Sequence, residues 1–216
     1  MGEYLAERNI TACGPRLPGH GSAPEDMQGV TWEAWYSAVE TSYQGLSASC
    51  ERVFVCGFSL GALLALHLAV RHDLPGLIVL SPALEVRDWR ASLVPLARHF
   101  IKSIPKDPDP AKSDLADHSA FERFWSYDEY STEAAYQLWR LQRRVRSELS
   151  HVRCPTLIVY STGDSVIGPR SGSTIYERIA AQDKKLHVLH NSGHGIVLDA
   201  ECQAVFEAAY QWIGTH

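Results

Sequence analysis

Short runs of β-branched and apolar residues alternate along the chain with longer stretches whose apolar positions recur every three or four residues. The short runs predict strands at Ile10–Cys13, Arg52–Cys56, Gly76–Leu80, Thr156–Tyr160 and Leu186–Leu189. Between the first two, Thr31–Leu46 carries Trp35, Val39, Tyr43 and Leu46 at helical spacing, with Thr31 in the position of an N-cap. Ser59–His72 predicts a second helix closed by Pro75-Gly76, Ile175 and Ile179 mark a third, and Cys202, Val205, Phe206, Ala209 and Ile213 form the buried stripe of a last one. Strands alternating with helices in this way specify an α/β fold, a mainly parallel sheet with helices on both faces.

One region breaks the alternation. Residues 83–153 show no strand pattern, only aromatic-rich helical segments separated by Pro105, Pro108 and Pro110. That is too long for a connection and too apolar for a linker. The expected organisation is a core made of residues 1–82 and 154–216, with residues 83–153 inserted as a helical cap. The aromatics of the insertion include Trp89, Phe100, Phe121, Phe124, Trp125, Tyr130 and Trp139. Most are expected to pack the cap onto the core, and the remainder to line an apolar pocket.

Composition narrows the class. The chain has 216 residues, 45% hydrophobic and 21% charged, with a formal net charge of −5. A mildly acidic chain has no general attraction for nucleic acid or anionic membranes. Its apolar stretches fall short of the ~18 residues of a transmembrane helix. Five scattered cysteines (Cys13, Cys50, Cys56, Cys154, Cys202) form neither a CxxC pair nor a metal-ligand spacing. They read as reduced thiols, mostly buried, and with no signal peptide at Met1-Gly2-Glu3-Tyr4 the expected location is cytoplasmic.

The chemistry is carried by Gly57-Phe58-Ser59-Leu60-Gly61, a G-x-S-x-G placed after a predicted strand and opening a predicted helix. In that setting it is a nucleophile elbow, a turn so tight that side chains two residues either side of the serine must be nearly absent. It lifts the Ser59 hydroxyl out at the strand's C-terminal end and sets the Leu60 N–H at a helix N-terminus, where it can hold an oxyanion. A serine needs a base, and the base an orienting acid. Strand Thr156–Tyr160 leads into Asp164, and strand Leu186–Leu189 leads into Asn191-Ser192-Gly193-His194-Gly195, so both side chains emerge on the same sheet edge as Ser59. Glu85 and Asp88 compete for the acid role and His190 for the base.

These residues, with Pro15-Arg16-Leu17-Pro18-Gly19-His20-Gly21, Pro24-Glu25-Asp26-Met27, Trp32 and Trp35, resemble the small carboxylesterase and monoacylglycerol lipase family of the α/β-hydrolase superfamily. Cys154-Pro155-Thr156-Leu157-Ile158-Val159 and Ser192-Gly193-His194 with Asp199 extend the likeness over nearly the whole chain. The resemblance implies Ser59 as nucleophile, Asp164 as acid and His194 as base. It also implies a small-molecule ester as substrate and no metal or organic cofactor; the oligomeric state stays open. The family further begins with a strand and a His-Gly-aromatic loop that supplies a second oxyanion N–H, ahead of the helix seen here as Gly2–Glu7. Neither is present. The expectation is an N-terminally truncated hydrolase with a slot beside Arg52–Cys56, unless Ile10–Cys13 shifts sideways to fill it or another chain supplies a strand. The implied alternative is a weakly active or non-catalytic binding protein of the same fold. A same-fold enzyme acting on thioesters is a further possibility.

Three lesser features have simpler readings. His20, between two glycines, is expected to be structural. Arg140, Arg143, Arg144 and Arg146 read as a solvated face paired with Asp107, Asp109, Asp114 and Asp117. The sequon Asn9-Ile10-Thr11 would lie in a strand, out of reach of modification.

Overall fold

The structure of the chain, a computed structural model, describes residues 1–109, 113–123 and 125–216. Pro110 and Phe124 lie outside the described residues. Four parallel strands form the sheet: β1 (Val55–Phe58), β2 (Leu77–Leu80), and, after two short strands described below, β5 (Thr156–Ser161) and β6 (Lys184–Leu189), in spatial order β1-β2-β5-β6. Side-chain alternation divides the strands between two cores. Leu77, Val79 and Ile158 face one, with Leu63, Leu64, Trp35 and Ile175. Ile78, Leu80, Leu157 and Val159 face the other, with Phe206, Ala209 and Trp212.

The helices follow from the same patterning. α1 (Gly2–Ala6) and α7 (Cys202–Thr215) meet through Tyr4 and Phe206, whose ring centroids lie 5.5 Å apart. α2 (Trp32–Ser47) starts at Thr31, whose hydroxyl accepts the Ala34 N–H at 3.3 Å, the cap expected there. α3 (Leu60–Ala69) is apolar on every side, and its residues from Ala62 to Ala69 are all buried, as a helix between a sheet and further helices must be.

Residues 81–155 run from β2 to β5. They hold a helical stretch through Trp89–Leu93 and α4 (Val94–Ala97), then β3 (Ser103–Pro105) paired antiparallel with β4 (Glu129–Ser131), then α5 (Thr132–Glu148), capped by the Ser131 hydroxyl. Strands of three residues are too short to register as alternation, so the pattern hid β3 and β4. Leu141, Val145, Leu149 and Val152 sit in the main core, so α5 closes it. α6 (Ser171–Arg178) follows β5. Among the described residues, no helix is long and apolar enough to cross a membrane.

The segment Ile10–Cys13 is not a strand. It has no ladder partner, and β1 is left as an edge strand of the sheet on that side. A cleft of ≈ 410 Å³ lined by Ile10, Ala12, Cys13, Val53, Phe54 and Cys56 separates the two. The segment therefore does not move across to pair with β1, and its residues are left on the far wall of an apolar gap. Two consequences follow for the expectations above. Cys13 and Cys56 are exposed and the other three cysteines half-buried, and Cys13, Cys50 and Cys56 line this cleft. Asn9 is also exposed, in a left-handed turn (φ 60°), so the sequon does not lie in a strand.

The arginine run finds glutamates instead of the expected aspartates. Arg140 pairs with Glu33 (2.7 Å), Arg146 with Glu85 (2.9 Å) and Arg144 with Glu148 (2.8 Å), while Arg143 lies over the Trp139 ring. Glu148 is the buried member. It also accepts from His67 Nδ1 at 2.6 Å and Arg71 Nη2 at 3.1 Å, tying α5 to α3. Removing it strands the His67 and Arg71 donors, so Glu148→Ala should lower stability by about 2–3 kcal/mol in urea denaturation. A loss below about 0.5 kcal/mol, the size of an ordinary surface change, would mean the helices hold together without it.

Candidate active site

The site is built where the strands end. β1 runs straight into Ser59, which adopts φ 54° and ψ −112°, a strained conformation for a residue with a Cβ. The strain is held from one side. The Ser59 N–H donates to the Leu80 carbonyl at 2.9 Å, and the Ser59 carbonyl accepts from the Ala83 N–H at 3.3 Å. A Cβ at Gly57 would collide with the Gly61 carbonyl and come within 2.7 Å of the Ala62 Cα, so only glycine lets α3 start this close to β1. Gly61 differs from the expectation. A Cβ there would meet nothing within 4 Å, because it faces a second cavity beside β1, of ≈ 220 Å³. Leu60 opens α3, so its N–H is among the first-turn donors that have no partner inside the helix.

Asp164 and His194 arrive from the next strands. Asp164 is buried beyond β5, and its Oδ1 accepts the N–H groups of Val166 (2.9 Å) and Ile167 (2.8 Å). Its Oδ2 lies 2.8 Å from His194 Nδ1, and His194 Nε2 lies 2.9 Å from Ser59 Oγ. This carboxylate, imidazole and hydroxyl form one continuous hydrogen-bonded line. With Nδ1–H donating to the carboxylate, Nε2 is left free to accept the Ser59 proton. The competing acids are engaged elsewhere, Glu85 with Arg146 and Asp88 with Arg90. His190 bonds the Thr162 hydroxyl at 3.2 Å. His20 sits edge-on to Trp35 with Nδ1 3.3 Å from the Pro18 carbonyl, a structural position.

Two further carboxylates hold the histidine loop, and their role was not apparent from residue spacing. Asp114 accepts the His194 N–H through Oδ2 and the Ser165 N–H through Oδ1, joining the His194 loop to the Asp164 loop. Asp199, almost fully buried, accepts from Gly193 N at 2.6 Å and from the N–H groups of Ala116, Asp117 and Ala200. The glycines around His194 have the matching purpose. A Cβ at Gly193 would strike the Asp114 carbonyl, and one at Gly195 would come within 2.7 Å of the Leu115 side chain. Burial pushes the Asp199 carboxyl up, but the four backbone donors outweigh it and hold the group below the usual carboxylate range. Among the described residues, no group of three or more His, Cys, Asp or Glu side chains could hold a metal ion.

A strained nucleophile elbow at the carboxyl edge of a parallel sheet, with a histidine and a buried acid in line, defines the serine hydrolases of α/β-hydrolase fold. Residues 1–201 match the hydrolase family described as serine aminopeptidase, S33, and the chain belongs to that family. It is 30% identical over 217 aligned positions to the thermostable monoacylglycerol lipase of Bacillus sp. (strain H-257), covering 100% of this chain and 84% of the lipase. It is 26% identical to a carboxylesterase of Bacillus subtilis (strain 168), over 99% of this chain and 85% of that enzyme. Among solved structures, a chain from work on LipS and LipT, two metagenome-derived lipolytic enzymes, superposes with a TM-score of 0.92 at 25% identity, covering 100% of this chain and 86% of the other. The monoacylglycerol lipase of Paleococcus ferrophilus shares the fold at a TM-score of 0.74 and 20% identity, over 87% and 76% of the two chains.

Two outcomes test this geometry. Gly57→Ala should leave little folded protein, whereas Gly61→Ala should fold and melt close to the parent; equal tolerance at both positions would contradict the packing of the elbow. Asp199 has a lower pKa folded than unfolded, so its contribution is present above the ordinary value of ~3.9 and is lost as pH falls through the folded value. Asp199→Asn should therefore cost about 2 kcal/mol near neutral pH. That difference should narrow in urea titrations below about pH 4.

Proposed function

We propose that the chain is a serine carboxylic-ester hydrolase, of carboxylesterase or monoacylglycerol lipase type, working through an acyl-enzyme. The observation that carries this reading is the unbroken line from Asp164 through His194 to Ser59, at 2.8 and 2.9 Å. The names of its relatives support the substrate class. In the first half-reaction Ser59 Oγ attacks the ester carbonyl carbon while its proton passes to His194 Nε2. The carbonyl π pair moves onto oxygen, where the Leu60 N–H and the N-terminal end of α3 stabilise it. The tetrahedral adduct collapses, and the Nε2 proton leaves on the alcohol. In the second half-reaction His194 takes a proton from water, the hydroxide attacks the acyl carbon, and the proton returns to Ser59 as the acid departs. Throughout, Asp164 fixes the histidine tautomer and offsets the imidazolium charge.

The two Asp164 Oδ1 bonds to Val166 and Ile167 keep that carboxylate from rotating away. Residues 83–153 serve in this reading as a cap over the strand ends, attached to a core of residues 1–82 and 154–216.

A second reading has a specific observation behind it. The side of Ser59 away from β2 borders the open edge of β1 and the cavity at Gly61. A chain holding an oxyanion by one N–H alone would turn over slowly, since one donor is worth ~10²–10³ in rate. The second reading is accordingly a weakly active or non-catalytic protein of this fold.

The decisive measurement is hydrolysis of p-nitrophenyl butyrate with fluorophosphonate labelling in parallel. Ser59→Ala should abolish labelling and lower kcat by ~10⁴-fold or more, and Asp164→Asn should lower kcat by about 10⁴-fold. Activity that survives Ser59→Ala defeats the mechanism. An unlabelled and inactive parent protein favours the second reading.

A further inference from the structure

The outer face of α5 meets the start of α2 in an open groove of ≈ 560 Å³. Its lining is Trp32 from α2 and Tyr136, Trp139, Arg140, Arg143 and Arg144 from α5. The α5 residues recur every three or four positions, so they share one face of the helix. None of these side chains bonds Ser59, Asp164 or His194. The two sides of the groove are tied together by Gln137, whose Oε1 accepts the Trp32 N–H at 3.2 Å and Arg140 Nη1 at 3.0 Å. Arg140 also reaches Glu33 of α2 at 2.7 Å. The Trp32 ring packs edge-on against the buried His67 ring, with centroids 5.0 Å apart.

Two features of this lining select a ligand. The first is planarity. The groove has an indole from each helix, Trp32 and Trp139, and the Tyr136 and Trp139 rings stack with centroids 5.9 Å apart and 17° between planes. The chain already lays planar cations on this stack. The Arg98 guanidinium carbon lies 3.8 Å from the Tyr136 centroid, and that of Arg143 lies 4.9 Å from the Trp139 centroid. The second feature is charge. Arg140 is matched by Glu33, but Arg144 shares Glu148 with Arg71, and Arg143 meets no carboxylate among the described residues. Four guanidinium groups therefore face two carboxylates, in a chain whose net charge is −5.

Guanidinium forks match phosphate oxygens in pairs, and an aromatic platform beside them takes a nucleobase, since every base has a π-face. An acidic peptide would satisfy the cations but make no use of the indoles. A nucleic-acid strand would run on from this local excess onto an acidic molecule. A small ligand that joins a flat ring system to a compact cluster of negative charge satisfies both features. The volume of ≈ 560 Å³ also lies within the roughly 300–1,000 Å³ of small-molecule sites. We propose that the groove between α2 and α5 binds a free nucleoside diphosphate, with the base against Trp32 and Trp139 and the phosphates on Arg143 and Arg144. The inference stands apart from the ester-hydrolase reading and needs no turnover.

The test is titration of the full chain with ADP and GDP, read by calorimetry and by quenching of tryptophan fluorescence. Both nucleotides should bind saturably. Adenosine and inorganic pyrophosphate should each bind roughly tenfold more weakly or less, because each keeps only part of the recognition. Trp139→Ala should weaken ADP roughly tenfold or more, and Trp139→Phe, which keeps a stacking face, should retain most of the affinity. Arg143→Gln should weaken ADP several-fold and leave adenosine unchanged. These side chains are exposed or half-buried, so the variants should keep the parent's circular dichroism. No saturable binding of either nucleotide overturns the proposal. So does ADP binding that both Trp139→Ala and Arg143→Gln leave intact, since the nucleotide then sits elsewhere. Pyrophosphate binding as tight as that of ADP reduces the groove to an anion site and overturns the nucleotide assignment. Hexaglutamate binding as tight as ADP gives the groove to an acidic peptide, and tighter binding of an oligouridylate gives it to single-stranded RNA; either result overturns it too.

Discussion

The contact between Gly57 and the first turn of α3 sets the position of everything chemical in this molecule. With no Cβ on Gly57, the helix can begin against the strand it follows, and the chain reverses within the single residue Ser59. Ser59 is then driven to positive φ, and its Oγ emerges at the carboxyl edge of the sheet. Register carries that location outward. Phe58 is level with Leu80 on β2, Leu80 with Val159 on β5, and Val159 with His187 on β6. The loops that follow β5 and β6 therefore open at the same height as Ser59, and a carboxylate and an imidazole placed on them fall into line with its hydroxyl.

A line of three side chains from three loops would scatter without restraint, since loops are the mobile part of such folds. Here the restraint is charge-assisted. Asp114 binds the backbone of both His194 and Ser165, and Asp199 binds Gly193 together with Ala116 and Asp117. The segment 114–117, remote in sequence from both loops, is thus fastened across them by buried or half-buried carboxylates. Gly163 adds a packing restraint, because a Cβ there would come within 2.6 Å of the Ser192 carbonyl. The loops that carry Asp164 and His194 are thus stitched together at their backbones, which holds the line of Asp164, His194 and Ser59 in register.

This division explains what residue patterns revealed. The four strands, the all-apolar α3, the Thr31 cap and the line of Ser59, Asp164 and His194 are local or periodic, and local patterns are legible one element at a time. Strand ends were less so: β1 extends to Phe58, into the elbow itself, because the turn geometry and not apolar content decides where the ladder stops. The backbone-accepting roles of Asp114, expected to face the arginine run, and of Asp199, expected only as part of the family likeness, escaped because an acid accepting distant backbone N–H groups looks, in one dimension, like any surface acid. The glutamates that pair with the arginine run escaped for the same reason, as they come from Glu33 and Glu85 across the fold. Ile10–Cys13 failed differently. It has strand composition, but a strand exists only with a neighbour to pair with, and composition says nothing of the neighbour.

The open edge of β1 invites the conclusion that Ser59 must be poorly held, but the bonding argues otherwise. Both backbone groups of Ser59 are tied to the side of the sheet that is complete, its N–H to Leu80 and its carbonyl to Ala83. Ala83 follows Ser81, which is also at positive φ and whose N–H bonds Val159, so the anchor runs on through β2 to β5. None of these bonds crosses the cleft. The second cavity, of ≈ 220 Å³, instead borders Gly57, Phe58 and Gly61, the face of the elbow opposite the anchor. The attachment of Ser59 therefore depends on the strands the chain pairs and not on the edge it leaves free.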